Sequence, residues 1–287
     1  MAKRLVDAGY LTSVWNRTYS KSKCFIQSQA IVANSARDAV KQGDYAADIV
    51  FTMLAAGSAV DQVIQDIIPV MKPGSILIDM SSTQQAEAVA IDVMLNSHSI
   101  GFVDAPVSGG VIGAEAGTLA IMVGARPDQY KAVEDILKVL GRPTYVGVPG
   151  TGQLAKLCNQ LIVGGTINIV AEALLLAQAG GADPVAVRAA LRGGFAESRI
   201  LEVHGQRMLD RNFLPGGQIK TQAKDMENIL LAAGAANLQL PLTEMVAELY
   251  RSLLDEYSVA DHSAALLGLE SLNIPARLGD GPNMLPA

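Results

Sequence analysis

The chain has 287 residues, half of them hydrophobic and only 17% charged, enough to bury one large core or two ordinary ones and unlike a disordered or solenoid chain. A net charge of −6 and a pI near 5.1 argue against a nucleic-acid or anionic-membrane surface, because nothing neutralises phosphates in bulk. Two cysteines, Cys24 and Cys158, with three scattered histidines supply neither a disulfide framework nor a metal-ligand cluster, which points to a reducing compartment and no metal.

Residues 1–9 form an amphipathic run too short and too charged for a secretory signal, so a cytoplasmic location is expected. From there to about residue 146, β-rich runs at 11–15, 48–53, 75–80, 102–106, 118–123 and 144–146 alternate with helical patterns at 60–70, 84–95 and 127–140. That alternation predicts an α/β, Rossmann-like doubly wound domain with a mostly parallel sheet, whose ligands bind at the carboxyl ends of the strands. The texture changes at Gly147-Val-Pro-Gly-Thr-Gly152, giving expected domains at 1–148 and 149–287. Beyond it the strand pattern stops, and helical runs at 153–180, 184–191, 219–233, 241–257 and 263–269 predict an all-α half, with Asp183 and Asp261 as helix caps. The stretch 161–182 is the most membrane-like, but Asn168, Glu172 and Gln178 interrupt it, and a buried helix is expected. Residues 275–287 have the composition of a loose tail.

Three segments carry candidate chemistry. Where the strand 102–106 must end, Ser108, Gly109 and Gly110 offer consecutive unencumbered amides that can point at an anion such as a carboxylate; an ordinary glycine-rich connection fits the same residues. A second glycine-rich turn opens a helix on which Lys156 lies beside Asn159 and Gln160, although a lone lysine is usually a solvated surface residue. The third places Lys224 next to Asp225 in an otherwise apolar helix, which a structural ion pair would also explain.

Together these segments resemble the β-hydroxyacid dehydrogenases, the 3-hydroxyisobutyrate dehydrogenase-like family, over nearly the whole chain. Asp104-Ala-Pro-Val-Ser-Gly-Gly110 with Gly117-Thr-Leu119 is similar to the family's substrate-binding signature, and Gly152-Gln-Leu-Ala-Lys156 with Asn159 to its catalytic helix. Arg192-Gly-Gly194, Asp210-Arg-Asn-Phe213, Lys224-Asp225, Gln239-Leu-Pro-Leu242 and Ala260-Asp-His-Ser-Ala264 look most like the tartronate semialdehyde reductases of that family.

The resemblance implies hydride exchange between a nicotinamide cofactor and a small, carboxylate-bearing β-oxo or β-hydroxy acid. Lys156 would be the general acid and, in reverse, the base. Ser108, Gly109 and Gly110 would hold the carboxylate, Asn159 and Gln160 would orient Lys156 or the substrate, and Lys224 would close over the nicotinamide end. Met53, Leu54 and Thr83 match positions beside the cofactor riboses, where strand-end packing is the bland alternative. An NAD-specific site usually has an acidic residue after the second strand, whereas this chain has Asn16, Arg17 and Thr18, which suit a 2′-phosphate. NADP is therefore expected, with NAD possible. The expected reaction is tartronate semialdehyde to D-glycerate, and the alternatives are 3-hydroxyisobutyrate dehydrogenase or another short semialdehyde or glyoxylate reductase, since one methylene is worth only about 1–3 kcal/mol. Arg192 and Arg211 to Phe213 lean towards a hydroxylated C3 acid. A homodimer or homotetramer is also expected.

One departure stands out. The family opens with a hydrophobic strand and a Gly-x-Gly-x-x-Gly turn, and residues 1–10 instead match the helix that follows that turn, so roughly 15 residues of the βαβ unit are not in the sequence. The expectation is a start-site or trimming artefact; were the start genuine, a non-catalytic binding or assembly module would be the alternative.

Overall fold

The computed structural model describes residues 1–55 and 57–286. Two compact units divide at Lys156 and Leu157.

The first unit contains α1 (Ala2–Asp7), β1 (Ser13–Val14), β2 (Ile31–Val32), α2 (Ala36–Val40), β3 (Lys41–Gln42), β4 (Tyr45–Ala46), β5 (Ile49–Thr52), α3 (Gly57–Ile67), β6 (Ile76–Asp79), α4 (Gln85–Ser97), β7 (Gly101–Asp104), β8 (Val107–Ser108), α5 (Gly110–Ala116), β9 (Leu119–Ala125), α6 (Pro127–Lys138) and β10 (Gly141–Gly147). Its main sheet runs β10-β9-β7-β6-β5, with β8 paired to β9. β5, β6 and β7 are parallel, as the sequence pattern requires, but β9 meets β7 and β8 antiparallel while remaining parallel to β10. The reversal follows from the excursion through β8 and α5, which returns the chain beside the strand it left.

Register explains why β6 and β7 are almost wholly apolar. Leu77 pairs with Phe102 and Ile78 with Val103, and neighbours along a strand point to opposite faces. Leu77 and Phe102 join one core with Val60, Ile64, Ile67 and Leu95; Ile78 and Val103 join the other with Leu5, Val133 and Leu137. Helices on both faces leave no polar side for these strands. In α3, Val60, Ile64 and Ile67 recur at helical spacing and are the buried residues; Pro127 opens α6 at its first turn.

β1 and β2 form a separate parallel pair. Among the described strands, this pair is not hydrogen-bonded to the main sheet. Among the described strands β5 pairs only with β6, and Ile49, Val50 and Phe51 are half-buried.

The helix α7 (Thr151–Ala179) begins in the first unit and continues into the second, which adds α8 (Pro184–Leu191), α9 (Arg199–Leu209), α10 (Ile219–Ala235), α11 (Pro241–Ser252), α12 (Leu254–Tyr257) and α13 (Ala265–Leu272). Asp183 caps α8 by accepting the Val185 N–H, and Asp261 accepts the Ser263 N–H ahead of α13. The helical core gathers Leu157, Ile167, Leu174, Met208, Phe213, Ile219, Met226, Tyr250 and Leu266.

Two expectations need correction. α7 is not buried all round: Leu174 and Leu175 face the core, while Ile162, Ile169 and Leu176 are exposed. By length and composition alone it is apolar enough to cross a membrane. The tail is not loose, because Leu278 is fully buried and the strand-like pairing of Phe213 N with Met284 O and Met284 N with Arg211 O holds it down. The Arg211 guanidinium is spent on Glu270, Asn283 and the Leu278 carbonyl.

Candidate active site

Three strand ends and the start of α7 build the part of the site that lies in the first unit. At the end of β6, Asp79 is 1% exposed and accepts the Thr52 hydroxyl at 2.7 Å and the Ser81 hydroxyl at 2.6 Å. Ser81 Oγ in turn accepts the Leu54 N–H at 2.9 Å. The loops after β5 and β6 are thereby tied together, which places Leu54 and Thr83 at the carboxyl ends of parallel strands, where doubly wound sheets bind ligands. Burial raises the Asp79 pKa, and its hydrogen bonds from Ser81 and Thr52 resist the shift.

Thr83 is 1% exposed; its N–H donates to Gln153 Oε1 at 3.0 Å, and its buried hydroxyl has no hydrogen-bond partner among the described residues. A buried hydroxyl left unpaired costs about 1–3 kcal/mol, so a polar group arriving there is favoured. Met53, at the end of β5, is exposed. At the end of β1, residues 16–18 are exposed, and the Thr18 N–H donates to Asn16 Oδ1 at 2.9 Å, an Asx turn that puts Arg17 at its corner. These groups fit the nucleoside and nicotinamide ends of NAD(P).

β7 ends at Asp104, passes through Ala105 and Pro106, and re-enters the sheet as β8 to reach Ser108. Gly109 has φ 137° and Gly110 φ 62°, conformations that side-chain-bearing residues rarely adopt, and a Cβ at Gly110 would meet no heavy atom within 4 Å. At Gly110 the turn therefore faces open space, as a carboxylate cradle needs, while Gly109 packs against Leu119.

Asp104 is fully buried and caps α7. Its Oδ1 accepts the Gly150 N–H and its Oδ2 the Gln153 N–H, each at 2.8 Å. Burial pushes its carboxyl up to about 7 against the pull of those two amides. Gln153, also fully buried, donates from Nε2 to the Ser81 carbonyl at 2.8 Å while receiving Thr83. Lys156 follows one turn later, half-buried.

In the second unit, Asn159 Nδ2 donates to Gln160 Oε1 at 2.8 Å. Gln160 is turned inward, 7% exposed, and donates to Asp225 Oδ2 at 2.7 Å and Gln222 Oε1 at 3.2 Å. Its place is behind Asn159, orienting that side chain. Asp225 also meets Lys224 Nζ at 3.1 Å, the ion pair that the sequence allowed.

The roles of Asp104 and Gln153 were not legible as such, although a carboxylate closing the apolar strand 101–104 was their one visible signal. Gln222 gave none.

Two family models cover the chain: the NAD binding domain of 6-phosphogluconate dehydrogenase matches residues 1–150, and the NAD-binding domain of NADP-dependent 3-hydroxyisobutyrate dehydrogenase matches residues 150–269. The chain is 42% identical to 2-hydroxy-3-oxopropionate reductase of Escherichia coli over 81% of its own length and 82% of that protein's. It is 31% identical to NAD-dependent L-serine dehydrogenase of Pseudomonas aeruginosa over 92% of its length and 91% of that protein's. Among solved structures, Mycobacterium tuberculosis 3-hydroxyisobutyrate dehydrogenase with L-serine is similar at a TM-score of 0.84 and 26% identity, covering 93% of this chain and 94% of that one. The chain therefore belongs to the 3-hydroxyisobutyrate dehydrogenase-like family of NAD(P)-dependent enzymes acting on CH–OH groups, and lies close to tartronate semialdehyde reductase within it.

Proposed function

We propose that this enzyme reduces tartronate semialdehyde to D-glycerate with NADP as the preferred cofactor. The observation that carries the substrate choice is the 42% identity to 2-hydroxy-3-oxopropionate reductase across most of both chains. The nicotinamide, when bound, supplies the hydride. The rest falls to the chain's own groups. The amides of the turn at 108–110 receive the substrate carboxylate, and Asn159 holds the substrate against α7. Negative charge develops on the former carbonyl oxygen, and Lys156 Nζ donates a proton to it; in the oxidative direction the same amine accepts that proton. The resemblance assigns Lys224 to the nicotinamide end, and Asp225 meets its ammonium at 3.1 Å. Arg17, at the corner of the turn after β1, supports the preference for a 2′-phosphate.

A panel of tartronate semialdehyde, methylmalonate semialdehyde, succinic semialdehyde and glyoxylate, each with NADPH and NADH, tests this reading. The expected result is the highest kcat/KM for tartronate semialdehyde with NADPH. Equal or better efficiency on methylmalonate semialdehyde rejects the substrate choice, and a lower KM for NADH rejects the cofactor choice.

The enzyme is further proposed to work as a homo-oligomer. Ile162, Ile169 and Leu176 are 62–73% exposed and recur every seven residues along α7, the spacing of a helix seam that a second copy would cover.

A further inference from the structure

We propose that Asp104, acting with Gln153, is the positioning residue that fixes Lys156 relative to the turn at 108–110; this rests on the role given to Lys156 above. Asp104 belongs to both segments at once. Its backbone closes β7 and leads through two residues into β8 and the turn, while its carboxylate receives the Gly150 and Gln153 amides at 2.8 Å each. Lys156 lies one turn beyond Gln153, about 4.5 Å along the axis, so a shift of that amide is a shift of the lysine. Gln153 adds a third segment by bridging the Ser81 carbonyl and the Thr83 N–H.

The junction has no slack. A Cβ at Gly124 would run into Asp104 Oδ1 and the Gly152 amide, and one at Gly152 into the carbonyl oxygens of Asp104 and Met122. Capping a helix does not demand such a place: an exposed Ser or Asp does it at no desolvation cost. A carboxylate with no solvent exposure is expensive, and two charge-assisted bonds offset part of that cost. Three chain segments are gained in fixed relation, carrying Thr83, Ser108 and Lys156. The carboxyl's displacement towards neutrality by burial, with Asp79 the charged neighbour that adds to it, agrees with this constrained setting.

The test is competitive acylation of lysines by mass spectrometry on the full 287-residue protein, together with steady-state kinetics, for Asp104→Asn and Gln153→Met. Asp104→Asn keeps the volume but turns one acceptor into a donor facing an amide; Gln153→Met removes the bridge and leaves the cap. Lys156 should acylate at least fivefold faster than in the parent, measured against the exposed Lys131 and Lys138 of α6. In parallel, kcat should fall at least tenfold with KM for the acid changed less than threefold, the effect being smaller in Gln153→Met. Unchanged Lys156 labelling in a folded Asp104→Asn protein overturns the proposal. If that variant does not fold, unchanged labelling in Gln153→Met overturns it instead. Loss of folded protein in both variants, by circular dichroism, assigns the pair a structural role and equally overturns it. Retained turnover in Lys156→Ala would remove the lysine's catalytic role while leaving the labelling result intact, so the two failures are separable.

Discussion

Arg211 shows how much one buried side chain can settle. Both its terminal nitrogens meet Glu270 at 2.8 Å, Nε donates to Asn283 Oδ1 at 2.6 Å and Nη1 to the Leu278 carbonyl at 2.6 Å, all with 1% exposure. Removing one partner of such a pair leaves the other charge stranded, at a cost of about 3–5 kcal/mol. Arg211→Met should therefore lose that much in urea unfolding and open the tail to proteolysis after residue 275; a loss below about 1 kcal/mol would show that the tail is held by Leu278 alone. The sequence did not announce this ion pair, because the partner Glu270 is far along the chain and no local pattern marks a pair at that separation. Lys156 drew attention for the opposite reason: its glycine turn and its neighbours Asn159 and Gln160 are all local, and the resemblance supplied its expected role. Asp104 stood in plain view within a motif, but its function depends on amides contributed by Gly150 and Gln153, and only the folded backbone brings those to it.

At the scale of elements, periodicity served well wherever a face is buried. α8 occupies 184–191 as read, and α10 begins at Ile219. α9 was missed, because Arg199, Glu202, His204, Gln206 and Arg207 dilute its apolar stripe of Leu201 and Met208. α5 was missed because four of its residues are glycine or alanine, which show no face at all. The exposed stripe of α7 has its own consequence. Ile169→Glu puts a charge at the centre of the proposed seam and should convert the enzyme to monomers in light scattering, with helicity unchanged; an unaltered mass would place the oligomer contact elsewhere. Among the described strands, β5 is an edge of the main sheet. A chain extended ahead of Met1 by an apolar strand and a Gly-x-Gly-x-x-Gly turn should bind NADPH at least tenfold more tightly than residues 1–287 alone, read by nucleotide fluorescence, because the pyrophosphate gains helix N-terminal amides. Equal affinities would mean that residues 16–18 and Thr83 account for binding without it.

Across the whole molecule, the two units respond to acid in opposite directions. Asp104 has its pKa raised by burial to about 7, so the stability linked to it is fully present below the ordinary 3.8 and is lost as pH rises through 7. In the helical unit, burial lowers His262 to about 4, with Asp261 pulling the other way. Stability from the neutral ring is present above 6.5 and is lost as pH falls towards 4. Asp261 adds to this below 3.8: burial would raise its pKa, but His204, Ser263 and the Gly216 amide together hold it below the usual carboxylate range. Lowering the pH from 7 to 4.5 should thus cost the helical unit about 2 kcal/mol, moving its far-ultraviolet transition down by roughly 5–10 °C, while fluorescence of Trp15, the single tryptophan, moves less. Coincident shifts would contradict the assignment. The length allowed two units and the resemblance implied their chemistry; opposed pH responses come from burial, which one sequence does not display. The most direct test of the whole account is kcat/KM for tartronate semialdehyde at saturating NADPH in Lys156→Ala. A fall of about 10³-fold is expected from loss of the proton donor, and activity within tenfold of the parent would contradict it.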